Sequence, residues 1–162
     1  MKHLFVMDPL DRIVVAGDST YVTMRECCDR GMHVSMCTPD QLFSFNGETR
    51  AMATPVRVTE DAPWFLAEPA HERALSEFDA VWMRKDPPFD MHYIFTTYLL
   101  DLAAKEALVV NAPEGLRSMG EKAWTLHFPE LVPASLITRS QAHLRGMMDE
   151  VGPIVVKPLD GN

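Results

Sequence analysis

The sequence is short of positive charge. Its 162 residues carry 15 Lys and Arg against 23 Asp and Glu, a formal net charge of -8. A sequence-independent nucleic-acid binder needs a basic face that releases counterions. A protein held on anionic lipid needs a basic cluster. The balance argues against both and leaves room for a local basic pocket that takes a small phosphate or carboxylate. Cysteine is scarce as well. Cys27, Cys28 and Cys37 are odd in number, two are adjacent, and no C-x-x-C pair occurs. That excludes a disulfide framework or zinc site and leaves reduced thiols in a cytoplasmic protein as the simple reading. No apolar run approaches the length of a membrane-crossing helix. The apolar stretch after Met1 is too short for a secretory leader.

Several catalytic signatures are missing. There is no G-x-G-x-x-G, H-E-x-x-H or G-x-S-x-G, so dinucleotide-binding, metalloprotease and α/β-hydrolase readings lack their motifs. Gly115 to Lys122 resembles a phosphate-binding P-loop only at first glance. Glu121 stands where that motif needs Lys, and the lysine that is present, Lys122, is followed by Ala123 where the motif would have Ser or Thr after its lysine. His3, His33, His71, His92, His127 and His143 show no ligand spacing. They read as surface or packing residues, and the eleven methionines read as core filler.

What is present suits a soluble α/β fold: 47% hydrophobic and 23% charged residues. Leu4–Met7 reads as a buried strand. Asp18-Ser19-Thr20 offers N-caps for a helix that runs to Arg30 with Gly31 just past its end, and His33–Cys37 reads as the next strand, a βαβ opening onto a parallel sheet. Asn46-Gly47 marks a hairpin between Leu42–Phe45 and Arg50–Val58, expected outside the parallel sheet. Thr59–Ser76 reads as a loop leading into a short helix. Asp79–Met83 and Leu108–Val110 read as strands. Between them Met91, Ile94, Phe95, Tyr98, Leu99 and Leu102 fall on one face of a helix. Beyond Pro113, short helices are expected at Pro113–Met119 and Glu121–His127. A strand follows at Ala134–Thr138, a helix at Ser140–Glu150 and a strand at Ile154–Lys157. A boundary near Gly120 divides a unit over 1–120 from the start of a second over 121–162.

The richest stretch for chemistry is Met83 to Asp90. Arg84 and Lys85 end a strand, and ligands of open α/β sheets bind at that edge. Arginine suits bidentate carboxylate recognition. Solvated surface cations, one of them paired with Asp86, explain the residues equally simply. Lys157 ends the apolar run Ile154-Val155-Val156, where it either snorkels to solvent or meets an anion. Lys122 is a further candidate of the same kind. Ser19 either caps its helix or sits at an anion-attracting helix start.

Three groups of residues, in order and spacing, resemble the prokaryotic glutathione synthetases. They are Val6-Met7-Asp8-Pro9 with Asp18-Ser19-Thr20; Asn46-Gly47-Glu48-Thr49-Arg50-Ala51 with Met83-Arg84-Lys85-Asp86-Pro87-Pro88-Phe89-Asp90; and Leu116-Arg117, Glu121-Lys122 and Lys157-Pro158-Leu159-Asp160-Gly161. The second is highly specific. The last is shared with other ATP-grasp ligases.

The resemblance implies a parallel-sheet pre-ATP-grasp domain followed by the first part of an ATP-grasp domain. It implies an ATP- and Mg²⁺-dependent ligation of γ-glutamylcysteine to glycine through an acyl phosphate. It implies ATP contacts at Lys122 and Lys157, and peptide-substrate contacts at Arg84, Lys85 and Ser19. A homo-oligomer is implied too. The Mg²⁺ ligands and most of the adenine pocket are expected beyond Asn162, so the 162-residue piece is expected to be inactive alone. Two other readings stand beside this one: a related ATP-grasp peptide ligase, and a non-catalytic binding or assembly module.

Overall fold

The structure, a computed structural model, describes residues 1–60 and 62–159. It opens with β1 (Lys2–Val6), in which Leu4, Phe5 and Val6 are fully buried. A strand apolar on both faces belongs inside a parallel sheet. Helix α1 (Ser19–Asp29) starts where the Asp18 carboxylate accepts the Tyr21 N–H at 2.8 Å. It ends as the chain turns through Gly31 at φ +71°, a left-handed conformation that glycine adopts at little cost. β2 (His33–Cys37) then pairs parallel to β1, with Leu4 opposite Ser35 and Val6 opposite Cys37.

Strands β3 (Leu42–Phe45) and β4 (Glu48–Val58) meet at Asn46 (φ +52°) and Gly47 (φ +84°), the positive-φ pair of a tight hairpin. The hairpin is not outside the sheet. β4 is long enough to pair antiparallel with β3 at one end and with β2, through Thr54–Val56, at the other. This covers what would otherwise be an open parallel edge. The following stretch also departs from its reading as loop and helix. It contains β5 (Phe65–Ala67) and β6 (His71–Ala74), both antiparallel to β4, before a single 3₁₀ turn at Leu75–Glu77.

β7 (Ala80–Met83) lies on the other side of β1, parallel to it. Helix α2 (Met91–Ala103) leads to β8 (Leu108–Val110), parallel to β7. The path is β3-β4-β2-β1-β7-β8, so the chain winds outward from β1 in both directions. The core is split by the sheet. Leu4, Val6, Leu75, Val81 and Leu100 pack on the α2 side. Phe5, Met7, Met24, Cys27 and Met36 pack on the α1 side.

Helix α2 buries a different stripe from the expected one. Phe95 is 58% exposed and Tyr98 50%, and Met91 and Leu102 also face solvent. Thr96, Thr97, Leu100 and Ala103 are buried. The reason is hydrogen bonding. Thr96 Oγ1 donates to His92 O at 2.8 Å and Thr97 Oγ1 to Ile94 O at 2.6 Å, so both hydroxyls enter the interior satisfied. Thr49 on β4 adds a bond from its Oγ1 to Leu99 O at 3.0 Å.

After α3 (Pro113–Ser118), the segment expected as helix over Glu121–His127 is 3₁₀ only at Trp124–His127. Helix α4 (Gln141–Val151) begins at Ser140, whose Oγ accepts the His143 N–H. Ala134–Thr138 and Ile154–Lys157 are not strands. A strand needs a neighbour for its N–H and C=O groups. Among the described residues none pairs with either segment, and Val155 is 84% exposed.

Candidate functional site

β1 connects through α1 to β2 on one side, while β7 lies on the other. The carboxyl ends of β1 and β7 therefore flank a topological switch point, where open α/β sheets leave a crevice. Asp8 follows β1 at this edge, and Arg84 and Lys85 follow β7. The Arg84 N–H donates to Val6 O at 2.7 Å, continuing the ladder by one residue.

The Arg84 side chain reaches the first turn of α1. Its Nε donates to Thr20 Oγ1 at 3.1 Å and its Nη2 to Ser19 Oγ at 2.5 Å. Asp18 caps the helix, so Ser19 Oγ serves the guanidinium instead. Among the described residues no carboxylate lies within ion-pair distance of Arg84. Its positive charge is oriented but not neutralised. Lys85 is placed differently: its Nζ lies 3.1 Å from Asp8 Oδ1 and donates to Asp86 O at 2.6 Å. The second Asp8 oxygen accepts the Asp86 N–H at 3.1 Å.

One cleft opens from this edge, and a second adjoins it at Lys122. The first, of about 590 Å³, is lined by Arg84, Lys85, Phe89, Tyr93, Asn111, Leu116 and Lys122. Burial pushes the Tyr93 phenol up from its ordinary value, against the pull of the Arg84 charge, so the phenol enters the cleft as a neutral donor. The other, of about 570 Å³, is lined by Lys122 and Lys157 with Leu136, Ile137, Met147, Ile154 and Val156. Lys122 thus borders both, and its Nζ lies 3.5 Å from Glu121 Oε1. Ser19 and Arg84 share a smaller cavity of about 110 Å³ with Thr23 and Asn111.

The five candidate residues fall into two groups. Ser19, Arg84 and Lys85 share the sheet edge. Lys157 lies in the apolar cleft, joined to that edge through Lys122. Asp160 and Gly161 of the terminal motif lie outside the described residues. Sequence reasoning left out Tyr93 and gave Asp8 no partner. The Asp8-Pro9 strand end was visible, but nothing local paired it with Lys85, 77 positions later. Arg117 is committed elsewhere: it bonds Thr97 Oγ1 at 3.0 Å, pairs with Asp101 at 2.7 Å and lies 4.9 Å over the Tyr98 ring.

The cleft beside Lys122 and Lys157 fits one end of a nucleotide: an apolar lining for a base or ribose face and ammonium groups for phosphate oxygens. A metal is not accommodated in the same way. No group of three or more His, Cys, Asp or Glu side chains among the described residues is placed to hold one. No helix among them is long and apolar enough to cross a membrane.

Residues 1–117 match the family described as prokaryotic glutathione synthetase, N-terminal domain. Residues 121–162 match the one described as prokaryotic glutathione synthetase, ATP-grasp domain. The chain is 39% identical over 163 residues to the glutathione synthetase of Vibrio parahaemolyticus, covering 99% of this chain and 52% of that protein. It is 39% identical over 158 residues to that of Pseudomonas syringae pv. tomato, covering 96% and 50%. With the protein of the same name from Salmonella typhimurium it shares 37% over 163 residues, covering 99% and 52%. The chain spans about half the length of the curated relatives it matches.

Proposed function

Because this chain belongs to the prokaryotic glutathione synthetase family, we propose that it forms the peptide-substrate side and the opening of the nucleotide cleft of an ATP-dependent ligase joining γ-glutamylcysteine to glycine. The observation that carries this reading is the cations in two adjoining clefts: Arg84 and Lys85 line the one at the sheet edge, Lys157 lines the other, and Lys122 borders both. Arg84, with Lys85 and Ser19 beside it, faces the dipeptide. Lys122 and Lys157 face the phosphates. The boundary between the two units falls at Gly120.

In the reaction, the carboxylate of γ-glutamylcysteine attacks the γ-phosphorus of ATP. The bond to the bridging oxygen breaks and ADP leaves. The amine of glycine then attacks the acyl carbon, loses a proton, and phosphate departs. The chemistry depends on positioning and charge neutralisation. Lysines at the phosphates offset charge gathering on the leaving ADP, and a fixed guanidinium holds the peptide in register. Mg²⁺ belongs to the reaction class, and among the described residues no three His, Cys, Asp or Glu side chains are grouped to hold it. The assembly is a cytoplasmic homo-oligomer.

The test is ADP release by the full-length protein. Release that requires both γ-glutamylcysteine and glycine supports the reading. Release with another carboxylate or amine acceptor, and none with this pair, replaces it with a related peptide ligase.

A further inference from the structure

The two neighbouring cations at the sheet edge have different partners. We propose that they divide the work: Arg84 meets a carboxylate of the ligand, while Lys85, bound to Asp8, is a positioning residue that latches the turn forming the cleft wall. The ligand's identity rests on the function proposed above.

Lys85 closes a ring. Its Nζ contacts Asp8 Oδ1 at 3.1 Å and Asp86 O at 2.6 Å, and Asp8 Oδ2 takes the Asp86 N–H at 3.1 Å. Both ionic side chains are only about a fifth exposed, 23% and 20%. The pair is therefore less screened than an open surface pair. The ring joins the end of β1 to the residues just past β7. Pro87 and Pro88 follow at once and limit where the chain can go. Phe89 then packs against Tyr93 with ring centroids 5.1 Å apart, and both rings line the cleft. Opening the ring releases the start of that wall.

Arg84 has the opposite character. Its partners are the neutral hydroxyls of Ser19 and Thr20. A guanidinium held this way through Nε and Nη2 keeps its full charge, and its remaining N–H groups at the Nη end are left for a carboxylate. An ammonium already neutralised by Asp8 has little left to give a ligand. Two adjacent cations that look interchangeable in the sequence are thus a latch and a recognition group.

The experiment is a double-mutant cycle in the full-length protein with Asp8→Asn, Lys85→Gln and the pair combined, read as the KM for γ-glutamylcysteine. A latch acts as a unit, so each single change raises KM by about tenfold and the double change by about tenfold again in total, not about a hundredfold. Lys85→Arg, which can still pair with Asp8, restores the wild-type KM. Multiplying effects, or failure of Lys85→Arg to rescue, overturn the proposal.

A second readout does not need turnover. The Asp86 amide exchanges about tenfold faster in Asp8→Ala. Unchanged exchange in Asp8→Ala overturns the latch. If the wild-type protein shows no turnover dependent on γ-glutamylcysteine, the functional reading fails, and the amide measurement still decides the latch.

Discussion

Arg84, at the end of a central strand, and Thr20, in the first turn of a helix 64 positions earlier, are joined by a 3.1 Å hydrogen bond from guanidinium Nε to hydroxyl Oγ1. The bond fixes a long cation across the crevice before any ligand arrives. Pre-ordering of this kind lowers the entropy lost on binding.

Arg84→Lys keeps the charge and loses the fork. It should raise the KM for γ-glutamylcysteine by roughly 10- to 100-fold, the scale of one well-made charged contact. Thr20→Val, which removes one hydroxyl, should have a smaller effect in the same direction. Steady-state kinetics on the full-length protein measures both, and a thermal melt confirms that neither unfolds it.

The outward apolar stripe of α2 can be separated from the buried one by chemical denaturation. Leu100 is fully buried, and Leu100→Ala should cost about 2–5 kcal/mol. Phe95→Ser, at an exposed position, should stay within about 0.5 kcal/mol. Equal losses would mean that the helix is rotated from the orientation described.

His3 makes stability depend on pH. Its Nδ1 accepts the Trp82 indole N–H at 3.0 Å, so the neutral ring carries its proton on Nε2, which is buried without a partner. Burial first, and the N-terminal ammonium second, lower its pKa from 6.5, while Asp79 pulls the other way. Cys27 Sγ lies 3.9 Å from the same nitrogen. The unfolded chain therefore takes up a proton below about pH 6.5 that the folded chain refuses. Stability is full above that pH and falls as the solution is acidified through the lowered value. Urea midpoints recorded from pH 7.5 to 5 should show this slope, and His3→Asn should flatten it.

The thiols should differ in reactivity. Cys37 is fully buried, and its pKa is pushed up to about 12 by burial first and by Asp40 second. Burial also raises Cys27. A native protein treated with a thiol-specific disulfide reagent at pH 8 should modify both slowly, since the thiolate is the nucleophile. All three cysteines should react at once in denaturant. Fast modification of Cys37 in the native state would contradict its placement.

Much of this protein was legible in its sequence because the signals were local. The burial of Leu4–Val6, a cap somewhere in Asp18-Ser19-Thr20, the Gly31 stop and the Asn46-Gly47 turn each rest on neighbours within a few residues. The backbone obeys such neighbours directly. The string from Met83 to Asp90 marked the candidate site at the sheet edge for the same reason.

Tertiary structure alone decided what depended on distant partners. β4 joined the sheet because β2 offered it an edge. Helix α2 turned its threonines inward because their hydroxyls could bond back to the helix, leaving Phe95 and Tyr98 to solvent. The Ile154–Lys157 run, apolar enough for a strand, is not one because no described neighbour pairs with it. Asp8 chose Lys85 and not Arg84 because the two cations leave β7 in different directions, toward β1 and toward α1. Periodicity in a sequence describes which residues share a face. Which face is buried, and which charge is neutralised, follows from what the fold places opposite.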